Sequence, residues 1–335
     1  MKAKVNLNIK IYGAGVLLGQ LAALVQEIEG VRRARDIECI HRMRVATRRL
    51  RSALPLFGEP IAEKRSIYWF KRIRKLTRAL GDARDTDVQI LHLDELQQTL
   101  VIPYRSGVRR LWLRVKQKRR ALQAKVLEAL VDFEQSNIVT EMAQKFAPLD
   151  IYRDTVDLHG VELLRFAAEA VSVKLNDFLA FSEIVDQPEK VTELHAMRIS
   201  AKHLRYTLEF FAPLYENQLR SHIKALRAAQ DSLGSIHDCD VWIAYMPEFM
   251  EEERRRTLDY FGSARAFKRL EPGLIYYQQI RREEREKLFW EFNSTWHKWE
   301  QENLWTDLLD TIQFALAPTI TYEPPAPAEN LEEIA

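Results

Sequence analysis

Glycine and proline are scarce in this chain, 11 and 12 among 335 residues. That is too few turn formers for a sandwich or barrel of many short strands, and no stretch keeps up the period-2 alternation of a half-buried strand. Cysteine is nearly absent. Cys39 and Cys239 stand alone, without CxxC or Cys/His spacing, which argues against a disulfide framework and a zinc knuckle and leaves two reduced thiols as the expectation. Long apolar runs are also missing, since none approaches the roughly 18 residues of a membrane span. The opening Met1-Lys2-Ala3-Lys4-Val5 lacks the apolar centre of a secretion signal. A cytoplasmic protein without membrane contact is the expectation. Nor does either charge sign dominate, with 50 Lys and Arg against 48 Asp and Glu.

What is present is long-range order in the charge. From His41 to Arg78 twelve basic residues face only Glu59 and Glu63, while acid collects in Glu251-Glu252-Glu253 and after Pro318. The final stretch, 318–335, mixes Pro324, Pro325 and Pro327 with Glu323, Glu329, Glu332 and Glu333, and is expected to be disordered. The segment His41-Arg42-Met43-Arg44-Val45-Ala46-Thr47-Arg48-Arg49-Leu50-Arg51 returns 154 residues later as His195-Ala196-Met197-Arg198-Ile199-Ser200-Ala201-Lys202-His203-Leu204-Arg205. A second pair, Leu80-Gly81 to Val88 and Leu233-Gly234 to Val241, recurs at nearly the same offset. Two anchors with matching spacing indicate an internal repeat.

Apolar periodicity predicts helices throughout. One opens the chain and ends near Gly30, the next carries the first basic anchor to Pro55 and Gly58, and a third runs from Ile61 to a stop at Gly81. Asp85 or Asp87 then caps a fourth. A long helix follows Pro103, with a shorter one near Ile138–Phe146. The second half repeats the scheme, with helices expected at Val161–Val185, Thr192–Phe211 and Gln218–Leu233, a stop at Gly234, and long helices over Val241–Leu316. The expected fold is all-α: two tandem, repeat-related up-down helical bundles, 1–150 and 151–317, related by a pseudo-twofold axis.

On a helix, His41, Arg44, Arg48 and Arg51 fall within an arc of roughly 80°, and so do His195, Arg198, Lys202 and Arg205. Each set forms a stripe about 15 Å long, backed by Met43/Met197, Val45/Ile199 and Leu50/Leu204 on the expected buried side. Lys71, Arg74 and Arg78 on the next helix, and Lys224 and Arg227 in the second half, continue the rows. A basic helix face is most often simply solvated, but like charges at these spacings repel. The same register kept in both halves argues for a shared polyanion. Arginine suits phosphate because its planar fork donates two hydrogen bonds at once, while lysine adds a mobile point charge.

With these motifs, the chain resembles the CHAD family, the conserved histidine α-helical domain, up to about Ala317. The resemblance implies two bundles of four-helix type around a central basic channel that binds inorganic polyphosphate; neither catalysis nor a cofactor is expected. It further implies that the contacts are His41, Arg44, Arg48, Arg51, Lys71, Arg74, Arg78, His195, Arg198, Lys202, Arg205, Lys224 and Arg227. Asp85, Asp87, Asp238 and Asp240 look structural, and polyphosphate granules or polyphosphate-metabolising enzymes are candidate partners. The pattern departs at Asp231, which takes the place of Arg78, and at His203, which takes that of Arg49, so the second half is less basic. Arg114, Lys118, Arg120, Arg281 and Arg285 are weaker candidates.

Two other readings compete with this one. His195, His203, His237, Asp238 and Asp240 superficially form the ligand set of a metal-dependent phosphohydrolase, but His237 matches Arg84 in the first copy, and Asp238 is expected to cap a helix at Val241. No metal is therefore expected. Tyr68, Trp69 and Trp112 among the basic helices could stack on nucleic-acid bases, although their spacing suits packing better. His92, His159, His222 and His297 have no repeat partner and are expected at the surface or at helix ends.

Overall fold

The computed structural model describes residues 6–34, 36–58 and 63–314. Eleven α-helices follow one another among them: α1 (Leu7–Gln26), α2 (Ile28–Arg33), α3 (Ile37–Phe57), α4 (Glu63–Thr99), α5 (Ile102–Gln135), α6 (Ile138–Asp150), α7 (Val161–Leu179), α8 (Val191–Phe211), α9 (Arg220–Phe261), α10 (Glu271–Gln301) and α11 (Leu304–Phe314). No strand occurs among the described residues, so the all-α fold read from the sequence holds. The acidic stretch 318–335 lies outside the described residues.

Local chemistry accounts for several helix ends. The Asn6 side chain accepts from the Asn8 N–H at the start of α1, and Asp36 accepts from Glu38 N–H at the start of α3, each satisfying an orphan donor of a first turn. Proline enters α5 and α10 in the first turn, where its missing N–H is harmless. Gly262 closes α9 in the left-handed conformation. The expected stops at Gly81 and Gly234 are wrong, because α4 and α9 run straight through both. Asp85, Asp87 and Asp238 consequently cap nothing. A helix-interior glycine costs only about 1 kcal/mol, and the residues after each glycine pack well enough to outweigh it: Ala83 and Ile236 are fully buried.

Helices at equivalent places in the two halves pack in equivalent ways. In the first half α1 lies on α3 and α6, α3 on α4, and α4 on α5; in the second α7 lies on α8 and α11, α8 on α9, and α9 on α10. Contacts between halves join counterparts: α1 with α7, α3 with α8, and α5 with α10. The buried face of α3 (Ile40, Met43, Leu50, Leu54, Phe57) matches that of α8 (Leu194, Met197, Leu204, Leu208, Phe211). Val45 and Ile199, expected among them, are only half-buried. Both halves feed one core, in which Phe57 packs on Phe166, Phe210 and Phe211. Beyond it, the far ends of α4, α5, α9 and α10 build a second core around Leu111, Trp242, Phe249 and Tyr277.

Two glycines fix how α5 crosses α10. A Cβ on Gly107 would stand 2.1 Å from the Leu270 carbonyl oxygen, and one on Gly273 2.1 Å from that of Tyr104. Only hydrogen fits between these backbones. Tyr104 and Tyr276 stack beside the crossing with ring centroids 4.1 Å apart.

The expectation of no membrane-length apolar segment needs correction. Leu7–Arg33 is long and apolar enough by composition to cross a membrane. In this fold it packs against α3 and α6, with Leu17 and Leu24 fully buried.

Candidate functional site

The cationic stripes come together because α3 and α8 bury their matching apolar faces and touch one another, with stripe residues of both toward a common space. A cleft of about 530 Å³ opens there between α3, α4, α8, α9 and α10. His41, Arg44, Arg48 and Arg198 line it from the predicted set. Lys202 lies within electrostatic reach of Arg48, Arg198, Arg44 and Arg51, and Arg51 within that of Arg74 and Arg78. A track of cations thus leaves the cleft through Lys202 toward the exposed face of α4, where Lys71 also lies. Lys224 and Arg227 are exposed on α9.

Gly81 and Gly234 make the room. The place of a Gly81 Cβ is 3.5 Å from Arg44 Nε, and that of Gly234 is 3.4 Å from Arg198 Nε. Each guanidinium therefore lies across the glycine of the neighbouring helix, once in each half. Any side chain beyond a methyl would push it away.

The pairing of charges separates the site from its surroundings. Arg42, Arg65, Lys75 and Arg84, on the same two helices, are paired with Glu27, Glu141, Asp132 and Glu38. Arg48, Arg51, Lys71, Arg74, Arg78, Arg198, Lys202 and Lys224 have no carboxylate within 4 Å among the described residues. Arg44 meets Asp85 at 3.2 Å. Burial and mutual repulsion leave their mark: the Lys202 ammonium is pushed down to about 7 and the Arg48 guanidinium to about 10, by burial first. Arg51 is lowered by burial, then by Arg74 and Arg78. The buried Nε–H groups of Arg51 and Arg198 find no acceptor among the described residues.

Arg205 and Arg227 belong to a different arrangement. Arg205 is buried, donates to Gln230 at 3.1 and 3.2 Å, and pairs with Glu209. Glu209 also takes Arg49 at 2.5 Å and stands 4.0 Å from Arg227. The rings of His195 and His237 lie 4.1 Å apart, and burial, then His237 and Arg198, hold His195 below its ordinary range. His41 is lowered by burial and by Arg84.

The aspartates fall into two classes. Asp87 and Asp240 are locked by arginines of the following helix, Arg119 at 2.6 Å and Arg285 at 2.8 Å, and are structural. Asp85 and Asp238 face the cleft. Burial among the helices raises the Asp238 carboxyl, although solvent still reaches the side chain. The five donors of the metal reading do not converge: Asp240 is held by Arg285, and His203 lies by Lys202 and Lys174. No group of three or more metal-binding side chains stands together among the described residues. Trp69 is buried and donates to Glu141 at 2.8 Å, while Tyr68 lies under Arg72 and Trp112 under Lys116.

Several cleft residues escaped sequence reasoning. Arg84, His92 and Gln230 line it, beside Arg281, which the sequence offered as a weaker candidate. His92, expected at the surface, accepts from Arg281 at 3.2 Å when its Nε2 is unprotonated. His222, also expected there, is fully buried and meets Asp307 at 3.1 Å, joining α9 to α11. Of the weaker candidates, Arg114, Arg281 and Arg285 are paired with Glu253, Glu284 and Asp240. One signal was available: Arg205 and Glu209 have the i, i+4 spacing of a helix ion pair.

The profile of the CHAD domain family matches residues 15–246. Among solved structures, the chain is similar to the crystal structure of the CHAD domain from the plant Ricinus communis, with a TM-score of 0.59 and 22% identity over 94% of each chain. It is also similar to PptA from Streptomyces chartreusis, with a TM-score of 0.58 and 15% identity over 85% of this chain and 98% of that one. At these identities the two likenesses establish the fold alone. Curated proteins give no match.

Proposed function

The chain belongs to the CHAD domain family, and from that premise we propose that it is a non-enzymatic protein that binds inorganic polyphosphate on its cationic track. One observation carries the reading. Eight lysines and arginines of the two stripes and their flanking rows lack a carboxylate, while Arg42, Arg65, Lys75 and Arg84 on α3 and α4 are paired. Gathered cations destabilise the folded chain unless something neutralises them. A linear polymer with a charge at every phosphate does so through successive charge-assisted hydrogen bonds, without bases or a fixed sequence. Lys71, Arg74, Arg78 and Arg51 would hold one end of the chain, Lys202 and Arg48 the middle, and Arg44, Arg198, His41 and His195 the cleft.

The contacts between counterpart helices support reading 1–150 and 151–317 as two copies related by a pseudo-twofold axis, with the cleft as their central channel. A cytoplasmic location, and association with polyphosphate granules or the enzymes that make and degrade the polymer, go with this function.

Calorimetric titration with long-chain polyphosphate at two salt concentrations tests the proposal. Affinity is expected to fall steeply with salt, by analogy with counterion release from nucleic acids, and to collapse in Arg44→Ala/Arg198→Ala. Unchanged affinity in that double variant would sink the site. Phosphate release from the polymer with Mg²⁺ or Mn²⁺, sustained and lost in Asp238→Ala, would overturn the non-enzymatic reading.

A further inference from the structure

A second cavity, of about 520 Å³, lies beside the cleft between α4, α5 and α9, and Gln89, Val241 and Trp242 line both. The two spaces share a wall but differ in chemistry. In the second, Trp242, Tyr245 and Phe249 follow one another along α9, with neighbouring ring centroids 5.7 Å apart in each case. Trp242 and Phe249 belong to the second core, whereas Tyr245 is half-buried and gives its ring to the cavity.

The acids on this wall are already occupied. Glu252 is paired with Arg256, and the buried Glu253 with Arg110, Arg114 and Arg256. Lys118 has no carboxylate within 4 Å among the described residues, and its ammonium stands 5.9 Å from the Tyr245 ring. Gln89 stands at the common wall and Tyr245 in the second cavity, so both bring a polar group to this space.

An inorganic phosphate chain has no use for an aromatic ring in its cavity. A purine or pyrimidine does, because every base has a face that stacks on a ring such as that of Tyr245 and edges that bond to amides and hydroxyls. The volume is that of a small-molecule site. We propose that this cavity takes the base of a nucleoside polyphosphate whose phosphates lie among the cations of the adjoining cleft, so that the protein binds nucleotides as well as inorganic chains. The inference rests on the reading of the cleft as a phosphate site.

Titration of the full chain with ATP and with inorganic tripolyphosphate, which match in phosphate number, tests it. ATP is expected to bind at least about fivefold more tightly, the factor that stacking of one base supplies. Tyr245→Leu should bring ATP down to the tripolyphosphate level and leave tripolyphosphate within about twofold of its value. Lys118→Ala, at an exposed position, should weaken ATP in the same direction, and it decides the matter if Tyr245→Leu fails to fold. ATP binding no tighter than tripolyphosphate, or keeping its advantage in the folded variants, would overturn the inference. Long-chain polyphosphate titrated in parallel separates the failures. If the polymer binds but ATP has no advantage, only the base pocket is refuted; if nothing binds, the phosphate cleft falls with it.

Discussion

Replacing Lys202 by methionine should make the free protein more stable and a poorer ligand for polyphosphate. Lys202 is half-buried on α8 among Arg48, Arg198, Arg44 and Arg51, and its ammonium is pushed from 10.5 down to about 7. At about 1.4 kcal/mol per pH unit, that interval sets a ceiling of about 5 kcal/mol on what charging this residue takes from the fold. Residual solvent access reduces the expected value to about 2 kcal/mol. The sign follows from proton counts. Between pH 7 and 10.5 the unfolded chain holds the lysine proton and the folded chain does not, so stability rises with pH across that window. Below pH 7 both forms are charged, and the loss is complete and constant. Lys202→Met keeps the aliphatic volume and removes the charge. Its melting temperature at pH 7 should lie about 4 °C above that of the parent, taking about 2 °C per kcal/mol for a chain of this size. Its gain between pH 7 and 9.5 should be smaller than the parent's. Scanning calorimetry in a buffer free of phosphate measures both. Long-chain polyphosphate should raise the melting temperature of the parent more than that of the variant. A variant that melts below the parent at pH 7, or shares its pH slope, would refute the reasoning.

Polyphosphate affinity should fall as pH rises from 7 to 9, by up to about tenfold per unit if Lys202 alone takes up a proton on binding. Titrations in two buffers of different ionisation enthalpy count that proton, and a count of zero near pH 7.5 would argue against it. Gly81→Leu keeps every charge but displaces the Arg44 guanidinium, so binding should weaken by roughly tenfold, the loss of about one charge-assisted hydrogen bond. Gly81→Ala, whose Cβ is 3.5 Å from Arg44 Nε, should bind nearly as the parent does. Gly107→Ala puts a Cβ 2.1 Å from a carbonyl oxygen and should cost about 3 kcal/mol or prevent folding. Gly19→Ala, in α1 with nothing within 4 Å of its Cβ, should gain up to about 1 kcal/mol. Chemical denaturation of the two alanine variants checks the contrast.

Helix class and the register of the stripes were legible because they depend on periodicity within a single helix. The buried faces of α3 and α8 align at the 154-residue offset that the repeat gives. What was not legible depends on what a residue meets on another helix. Gly81 and Gly234 carry the composition of a stop signal, yet they serve as floors for Arg44 and Arg198, and only the packing of α3 on α4 and of α8 on α9 reveals it. The four aspartates look alike in sequence, but Asp87 and Asp240 are claimed by Arg119 and Arg285 on separate helices, while Asp85 and Asp238 face the cleft. His222 reads as an ordinary surface histidine until Asp307 of α11 is placed against it. Arg205 is the exception: its i, i+4 partner stood in the sequence, and the stripe drew attention away from it.

Glu209 gives the track a direction. It gathers Arg49, Arg205 and Arg227, and the position 154 residues earlier is Pro55, which offers no such carboxylate. The second half therefore answers part of its own charge, while the first leaves Arg51, Arg74 and Arg78 unanswered. On the proposed reading, an extended anion laid across the molecule would meet a slope rather than a level bed, with more unpaired cations where α4 lies open to solvent than beside Glu209.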